Sequence, residues 1–421
     1  MRPAEMGDAQ TVQETSYQPL GLSALLRLAS NGGDLTQLGA TLIEYSRTHD
    51  DPQALLELAW VLELKFERAS ALAVQKLAIS MQRQYRIHQA VSHDPVKLLV
   101  FKAAGDLMTN TPFECLVAYT GFQIDVLFVD EALDADCRLP EHDVILVGPC
   151  ALDGNRAALA RIAELLKKTD APVINRPDRI PCTTRDAAWN LLGAEAGIHM
   201  ANTVRVERAV LVARINEPEG VNDVAGVHFP MIIRPVGSHA GQGLARVQTM
   251  DELAQYLRES DRDEFYVASY IDYRSADGLF RKYRIALIDG VPYVSHMGIS
   301  VHWMVHYPYE EMLAHAQRRE EEARFMATFD ADFAHRHRNA LATVAKSTGL
   351  DYVGLDCAET PDGRLVIFEI ATAMVVHDMD DPTAFPYKPA RMKRFFDAFC
   401  AMVERKAKMN REHDDDTQER V

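Results

Sequence analysis

Apolar residues between Leu20 and Ile87 recur every three or four positions, the period of helices that bury one face. The pattern predicts helices over residues 35–47, 54–66 and 69–85. Asp51-Pro52 marks a helix start, because proline in the first turn gives up only an N–H that has no helical partner. Near His93 the texture changes. Residues 96–102, 124–129, 144–147 and 173–175 are short apolar runs rich in β-branched side chains, with a helical stretch at 155–169. Strands alternating with helices in this way predict a parallel sheet. Beyond Phe229 the pattern becomes mainly antiparallel, with strands expected at 231–235, 244–247, 265–271, 283–288, 293–300, 352–358 and 365–370. Asp289-Gly290 and Pro361-Asp362-Gly363 read as tight turns, and Thr249 with Glu252 as the capping box of a helix over 251–258. A charged helix over 309–325 and another over 335–347 complete the pattern.

Composition narrows the function class. The chain has 421 residues, enough for two to four domains, and 48% of them are hydrophobic, so a sizeable core is expected. The net charge of −16, with no long basic stripe, argues against nucleic acid and anionic membranes as partners. No apolar run approaches the ~20 residues of a membrane span, and residues 1–16 lack the apolar core of a secretory signal. Six scattered cysteines form no CxxC pair and no zinc spacing, which predicts reduced thiols in a cytoplasmic protein. Residues 1–18 are expected to be disordered, and residues 406–421 form a charged tail whose end, 411–421, is expected to be disordered. No G-x-G-x-x-G follows the first strand, which excludes a dehydrogenase of the dinucleotide-binding kind.

The most informative segment is FPMIIRPVGSHAGQGLARV, residues 229–247. Gly237, Gly241 and Gly243 lie between two apolar strands and let backbone N–H groups approach an anion closely. Ser238 adds a hydroxyl, and Arg234 and His239 add positive charge. A strand follows the glycines, so this is no Walker A loop; a phosphate clamp and a merely flexible hairpin are the two readings. Asp356 and Glu369 are single acids in otherwise apolar strands joined by a tight turn, which predicts that they pair side by side. Two facing carboxylates repel unless a cation lies between them, and Mg²⁺ suits one or two carboxylates plus phosphate oxygens. Two solvent-facing strand acids are the plainer alternative. Glu359, nearer the turn, is expected to be exposed. His302, Trp303, His306 and Tyr307 form a candidate substrate wall; the His302/His306 spacing lacks the zincin glutamate, so zinc is not expected. His335–His337 reads as a solvated helix face, and residues 374–382, with His377, as either a wall of the metal site or a surface loop.

Together these segments resemble the ATP-grasp superfamily, in particular its glutathione synthetase and D-alanine–D-alanine ligase branch, over about residues 96–399. Residues 172–206 look like the linker into the first lobe, with Arg185 nearest the linker lysine. Residues 229–243 look like the phosphate-loop strand, EFYVASYIDY like the hinge that lines adenine through Tyr270 and Ile271, and KYRIALIDGVPY like the arginine-bearing strand, with Lys282 and Arg284. GLDCAE and FEI look like the metal-ligand strands.

The resemblance implies an α/β plus α+β architecture. Its expected parts are a helical domain (19–92), with a tetratricopeptide-like hairpin around Glu67 and Arg68, and a Rossmann-like domain (93–180). The first ATP-grasp lobe (181–264) and the second lobe (265–405) follow. No second copy of the hairpin occurs, so the helical domain reads as a cap or dimerisation element, or as a peptide-docking surface. The implied activity is an ADP-forming, carboxylate–amine ligase reaction on a small molecule or peptide, with ATP and Mg²⁺ (Mn²⁺ as the alternative ion). Arg234 and Arg284 would act on phosphates and Asp356 and Glu369 on the metal, and a homodimer is a further expectation. The chain departs from the family pattern with Arg234 for lysine, Lys282 where Asp-x-Arg is usual, Ser269 and Tyr270 where a ribose-binding acid is usual, and Ala371 for the metal asparagine, leaving His377 or Asp378 as substitutes. A non-catalytic ATP-binding protein and a phosphotransferase are the rival readings.

Overall fold

The computed structural model describes residues 17–88, 93–217, 223–239, 241–306 and 308–418. Tyr307 and almost all of the 1–18 segment lie outside these residues. The chain divides into two compact units, Met1–Arg83 and Gln84–Val421.

The smaller unit holds helices Leu22–Ser30, Thr36–Ser46, Pro52–Leu64 and Arg68–Met81. Asp51 caps the third as its proline start predicts, accepting from the N–H groups of Gln53 (2.9 Å) and Ala54 (3.2 Å). The expected helix over 69–85 stops at Met81, because residues 84–88 form a strand instead.

That strand, β1 (Gln84–His88), belongs to the larger unit. It joins β2 (Lys97–Lys102), β3 (Gln123–Phe128), β4 (Val144–Val147) and β5 (Val173–Ile174) in the order β1-β3-β2-β4-β5. Strands β2 to β5 are parallel and β1 is an antiparallel edge. The chain leaves β2 toward β3 on one side, and β4 lies on the other. A crevice therefore opens beyond the carboxyl ends of β2 and β4, the place where open parallel sheets bind ligands.

Two antiparallel layers follow. Strand β6 (Ile198–Met200) runs on to β7 (Thr203–Glu207), then a small hairpin, β8 (Asp223–Val224) and β9 (Val227–His228), precedes β10 (Met231–Pro235), β11 (Ala245–Val247) and β12 (Glu264–Ser269). The first layer has the order β11-β10-β12-β7 and buries Ile233, Leu253 and Phe265 beneath helices Arg208–Ile215 and Met250–Glu259. Thr249 and Glu252 form the expected cap: Thr249 accepts from Glu252 N (3.2 Å) and Glu252 from Gln248 N (2.7 Å).

Strands β13 (Phe280–Ile288), β14 (Val291–Ser300), β15 (Tyr352–Glu359) and β16 (Leu365–Ala371) build the second layer in the order β14-β13-β15-β16-β6. Its hairpin turn is the expected Asp289-Gly290, both at positive φ (49° and 75°).

Three expectations about charged segments need correction. The helix over 309–325 breaks at His315 into Tyr309–Ala314 and Ala316–Thr328. His337 is buried, not solvated, and meets Glu359 at 2.7 Å; Arg336 reaches the same carboxylate at 2.7 Å, so Glu359 is not free in solvent either. The expected disordered tail is the end of a helix, Lys388–Gln418, held by ion pairs of Arg411 to Asp94 and Asp143 at 2.8 Å each. Among the described residues no helix is long and apolar enough to cross a membrane.

Candidate functional site

A cavity of about 1160 Å³ opens among the crevice of the parallel sheet, the glycine loop and the second antiparallel layer. That exceeds the about 300–1,000 Å³ usual for a single-ligand pocket.

Its charged floor follows from strand register. Lys282 and Arg284 are two apart on β13 and so share a face. Arg284 lies opposite Asp356 on β15, and Asp356 lies opposite Glu369 on β16, the side-by-side pairing expected of the two acids. Arg284 Nε donates to Asp356 Oδ1 (2.8 Å) and Arg284 Nη2 to Oδ2 (3.0 Å), while Lys282 Nζ also donates to Oδ2 (2.8 Å). Arg185, at the start of helix Arg185–Leu192, pairs with Glu369 Oε2 at 2.9 Å. Burial alone would raise the Asp356 carboxyl, but Arg284 and Lys282 outweigh it and hold that group far below the usual carboxylate range. Glu369 is also lowered: burial and Asp356 push it up, and Arg185 and Arg234 more than offset them.

Arg234, expected at the phosphates, bonds to the glycine loop itself. It is buried, and its guanidinium donates to Ser238 Oγ (3.1 Å) and to the Ser238 carbonyl, folding the glycine loop back on its own strand. Burial and then Arg185 draw its pKa down to about 10. Around Asp356 and Glu369 the four cations Arg185, Arg234, Lys282 and Arg284 leave a local surplus of two positive charges, while over the whole lining Arg262 with Asp153, Asp263 and Glu264 brings the balance to zero. A polyanion suits that surplus.

Gly237, Gly241 and Gly243 all have positive φ (73°, 71° and 65°). At Gly241 an added Cβ would lie 2.0 Å from His306 Nε2, so the loop after β14 presses on the glycine loop at that point. His239, on the glycine loop, has a buried Nε2 without a hydrogen-bond partner among the described residues, and burial lowers its pKa. Gly241→Ala is expected to destabilise the glycine loop by about 1–2 kcal/mol, the cost of a non-glycine residue at this φ, plus the clash with His306. Urea unfolding of the full chain checks this, and His306→Ala in the same chain should restore only the part due to contact.

Elsewhere in the lining, the Tyr270 ring lies under the Arg246 guanidinium (3.9 Å) and edge-on to Trp303 (6.0 Å), with Ile271 next in sequence. A flat aromatic group fits such a slot better than a charged one.

Most of the sequence-based candidates meet at this cavity: Arg185, Arg234, Gly237, Ser238, His239, Gly241, Tyr270, Ile271, Lys282, Arg284, Trp303, His306, Asp356 and Glu369 all line it. Gly243 stays behind the loop, where its carbonyl accepts from Tyr256 (2.6 Å). His302 is exposed and His377 turns its Nδ1 to Met379 N (3.2 Å); neither lines the cavity. Sequence reasoning missed the Thr109 and Cys150–Asn155 loops and His296, which line the cavity, and Arg246, which covers the Tyr270 ring. His296 sits opposite Arg284, and its burial holds it well below the usual imidazole range.

No protein-family model and no curated protein sequence matches the chain. Among solved structures it aligns with the VanG D-Ala:D-Ser ligase from Enterococcus faecalis at 14% identity and a TM-score of 0.47, over 74% of this chain and all of that one. It also aligns with the D-alanine–D-alanine ligase from Bacillus anthracis complexed with ATP, at 15% identity and a TM-score of 0.44, over 75% of this chain and 99% of the ligase. A RimK domain protein ATP-grasp from Sphaerobacter thermophilus gives 15% identity and a TM-score of 0.41, over 72% and 98% of the two chains.

The donor chemistry of Asp356 and Glu369 fits a hard divalent cation, for which two carboxylates and phosphate oxygens suffice. Within the pair, Glu369 Oε1 makes no hydrogen bond or ion pair among the described residues, whereas both oxygens of Asp356 are engaged by Lys282 and Arg284. Ala371, two residues past Glu369, offers no side-chain donor. Among the described residues no three His, Cys, Asp or Glu side chains converge as a metal-binding group.

Proposed function

We propose that the chain is an ATP- and Mg²⁺-dependent ligase that joins a carboxylate to an amine, on a small molecule or a peptide. The observation that carries this reading is the cross-strand pair of Asp356 and Glu369 facing four cations and a glycine loop, in a cavity with room for more than one ligand. On this reading the Tyr270 slot takes the adenine, and backbone N–H groups of the glycine loop, fixed in place by Arg234, take the phosphates. Arg284 and Lys282 neutralise charge on the γ-phosphate as it transfers. Glu369 and Asp356 are the residues that would hold a divalent ion, which would supply further positive charge against the transferring phosphate.

The substrate carboxylate attacks the γ-phosphorus, the bond to the β-phosphate oxygen breaks, and ADP leaves. The amine nitrogen then attacks the acyl carbon, phosphate departs, and the nitrogen loses a proton. His306 lines the cavity, and burial followed by the nearby Lys282 lowers its pKa, so it is neutral near pH 7 and able to accept that proton. The crevice beyond β2 and β4, with Thr109 and Cys150, is the position for the carboxylate substrate. A cytoplasmic setting would keep the six free thiols reduced.

A second reading, nucleotide binding without turnover, is favoured by one observation: Asp356 is already fully engaged by Lys282 and Arg284. Phosphorus NMR of ATP and Mg²⁺ with pooled amino acids, small acids and short peptides separates the two. ADP and phosphate formed only with a particular pool support the ligase. ATP left intact by every pool, although it binds, favours the second reading. AMP and pyrophosphate would overturn the acyl-phosphate route.

A further inference from the structure

The two acids of the cavity, Asp356 buried and Glu369 half-buried, each have an arginine partner. Glu369 has Arg185, and Asp356 has Arg284 in a two-pronged contact that satisfies both of its oxygens. Those two pairs are already neutral. Lys282 is therefore a third cation on two paired acids. Its only hydrogen-bond or ion-pair partner among the described residues is Asp356 Oδ2, at 2.8 Å.

Lys282 also differs from its neighbour in how it is held. The Arg284 guanidinium is anchored a second time, by a bond from Nη1 to the Val375 carbonyl (3.0 Å). Lys282 carries a point charge on a flexible four-carbon stem, lines the cavity, and keeps 14% of its side chain exposed. A carboxylate that already meets two cations presents little net charge to a third. A divalent ion approaching Asp356 thus competes first with Lys282, the cation less firmly fixed.

We propose that Lys282 is a resident cation of the phosphate site: it competes with a divalent ion for Asp356, and it offers a bound triphosphate a positive charge that needs no metal. The second half rests on the nucleotide-site reading above; the first half does not.

The test uses the full chain and Mn²⁺ as probe, titrated without nucleotide and followed by electron paramagnetic resonance. Lys282→Met keeps the apolar stem and removes the charge, and is expected to bind Mn²⁺ about tenfold more tightly than the unmodified chain, the scale of removing one cation some 4 Å from the ion. Lys282→Arg keeps the charge and should bind no more tightly than the unmodified chain. Equal Mn²⁺ affinity in the unmodified chain and Lys282→Met would overturn the competition. In a second arm, calorimetry measures ATP binding in EDTA and in Mg²⁺. The unmodified chain should retain binding in EDTA, and Lys282→Met should lose more affinity in EDTA than in Mg²⁺. Binding of the unmodified chain confined to Mg²⁺ would overturn the second half. ATP binding in neither buffer would instead refute the nucleotide reading itself, while the Mn²⁺ titration, run without nucleotide, still decides the competition.

Discussion

Glu369→Gln is expected to lower ATP turnover by about 10²–10³-fold, the usual effect of removing one group that stabilises charge in a transition state. The substitution conserves volume and leaves the strand pairing with Asp356 intact. It removes the one carboxylate of the pair with an oxygen that makes no hydrogen bond among the described residues, the oxygen that the proposed ligase reading assigns to a divalent ion. Its structural cost is small by comparison. Glu369 and Arg185 keep 29% and 20% of their side chains exposed, so losing their ion pair costs about 1 kcal/mol. Glu359→Gln is the control. It removes an acid from the same sheet that pairs with His337 and Arg336 and does not line the cavity. Turnover should fall steeply for the first variant and hardly for the second, measured as ADP released with the active substrate pool. Equal losses would mean that sheet stability, and not charge in the cavity, is being measured.

What was legible in the chain was local, and what was not was set by distant partners. Turn chemistry placed the Asp289-Gly290 hairpin, and with it the β13–β14 register as far as Ile285. Counting back from the Ile288–Val291 pair puts Arg284 opposite Ser295; a bulge beside Arg284 shifts it to His296, so a cavity residue went unseen. Residues 84–88 continue the apolar spacing of the helix before them. They become a strand because pairing with β3 buries Tyr85 completely and gives the buried Asp125 an arginine, Arg86, at 2.9 Å. Charged runs misled for the same reason. His337 and Arg411 look solvent-bound in sequence, and their partners Glu359, Asp94 and Asp143 are 22, 317 and 268 residues away. The glycine loop and the two acids were readable because glycine backbone freedom and lone acids in apolar strands each have few structural explanations. That Arg234 serves the loop, and that Lys282 and Arg284 converge on Asp356, depended on geometry that spacing does not encode.

Asp356→Asn is expected to destabilise the larger unit by about 3–5 kcal/mol at pH 7, the cost of stripping a buried ion pair of one partner. Asp356 keeps only 6% of its side chain exposed, and Lys282 and Arg284 keep 14% and 22%. The amide is isosteric, so no cavity forms; the loss is electrostatic, two cations left without their counter-charge. Its pH dependence has a definite sign. The folded carboxyl lies far below its unfolded value of about 4, because Arg284 and Lys282 outweigh burial. A depressed group contributes stability that is fully present above the unfolded pKa and is lost as pH falls toward the folded one. Urea unfolding at pH 7 and at pH 3 should therefore show a gap between the unmodified chain and Asp356→Asn that narrows on acidification. Glu322 contributes in the opposite sense, since burial raises its pKa despite Lys388, but it is present in both chains and cancels from the difference. A gap that widens toward pH 3 would mean that Asp356 is protonated in the folded chain, and then neither Lys282 nor Arg284 would be holding a charge there.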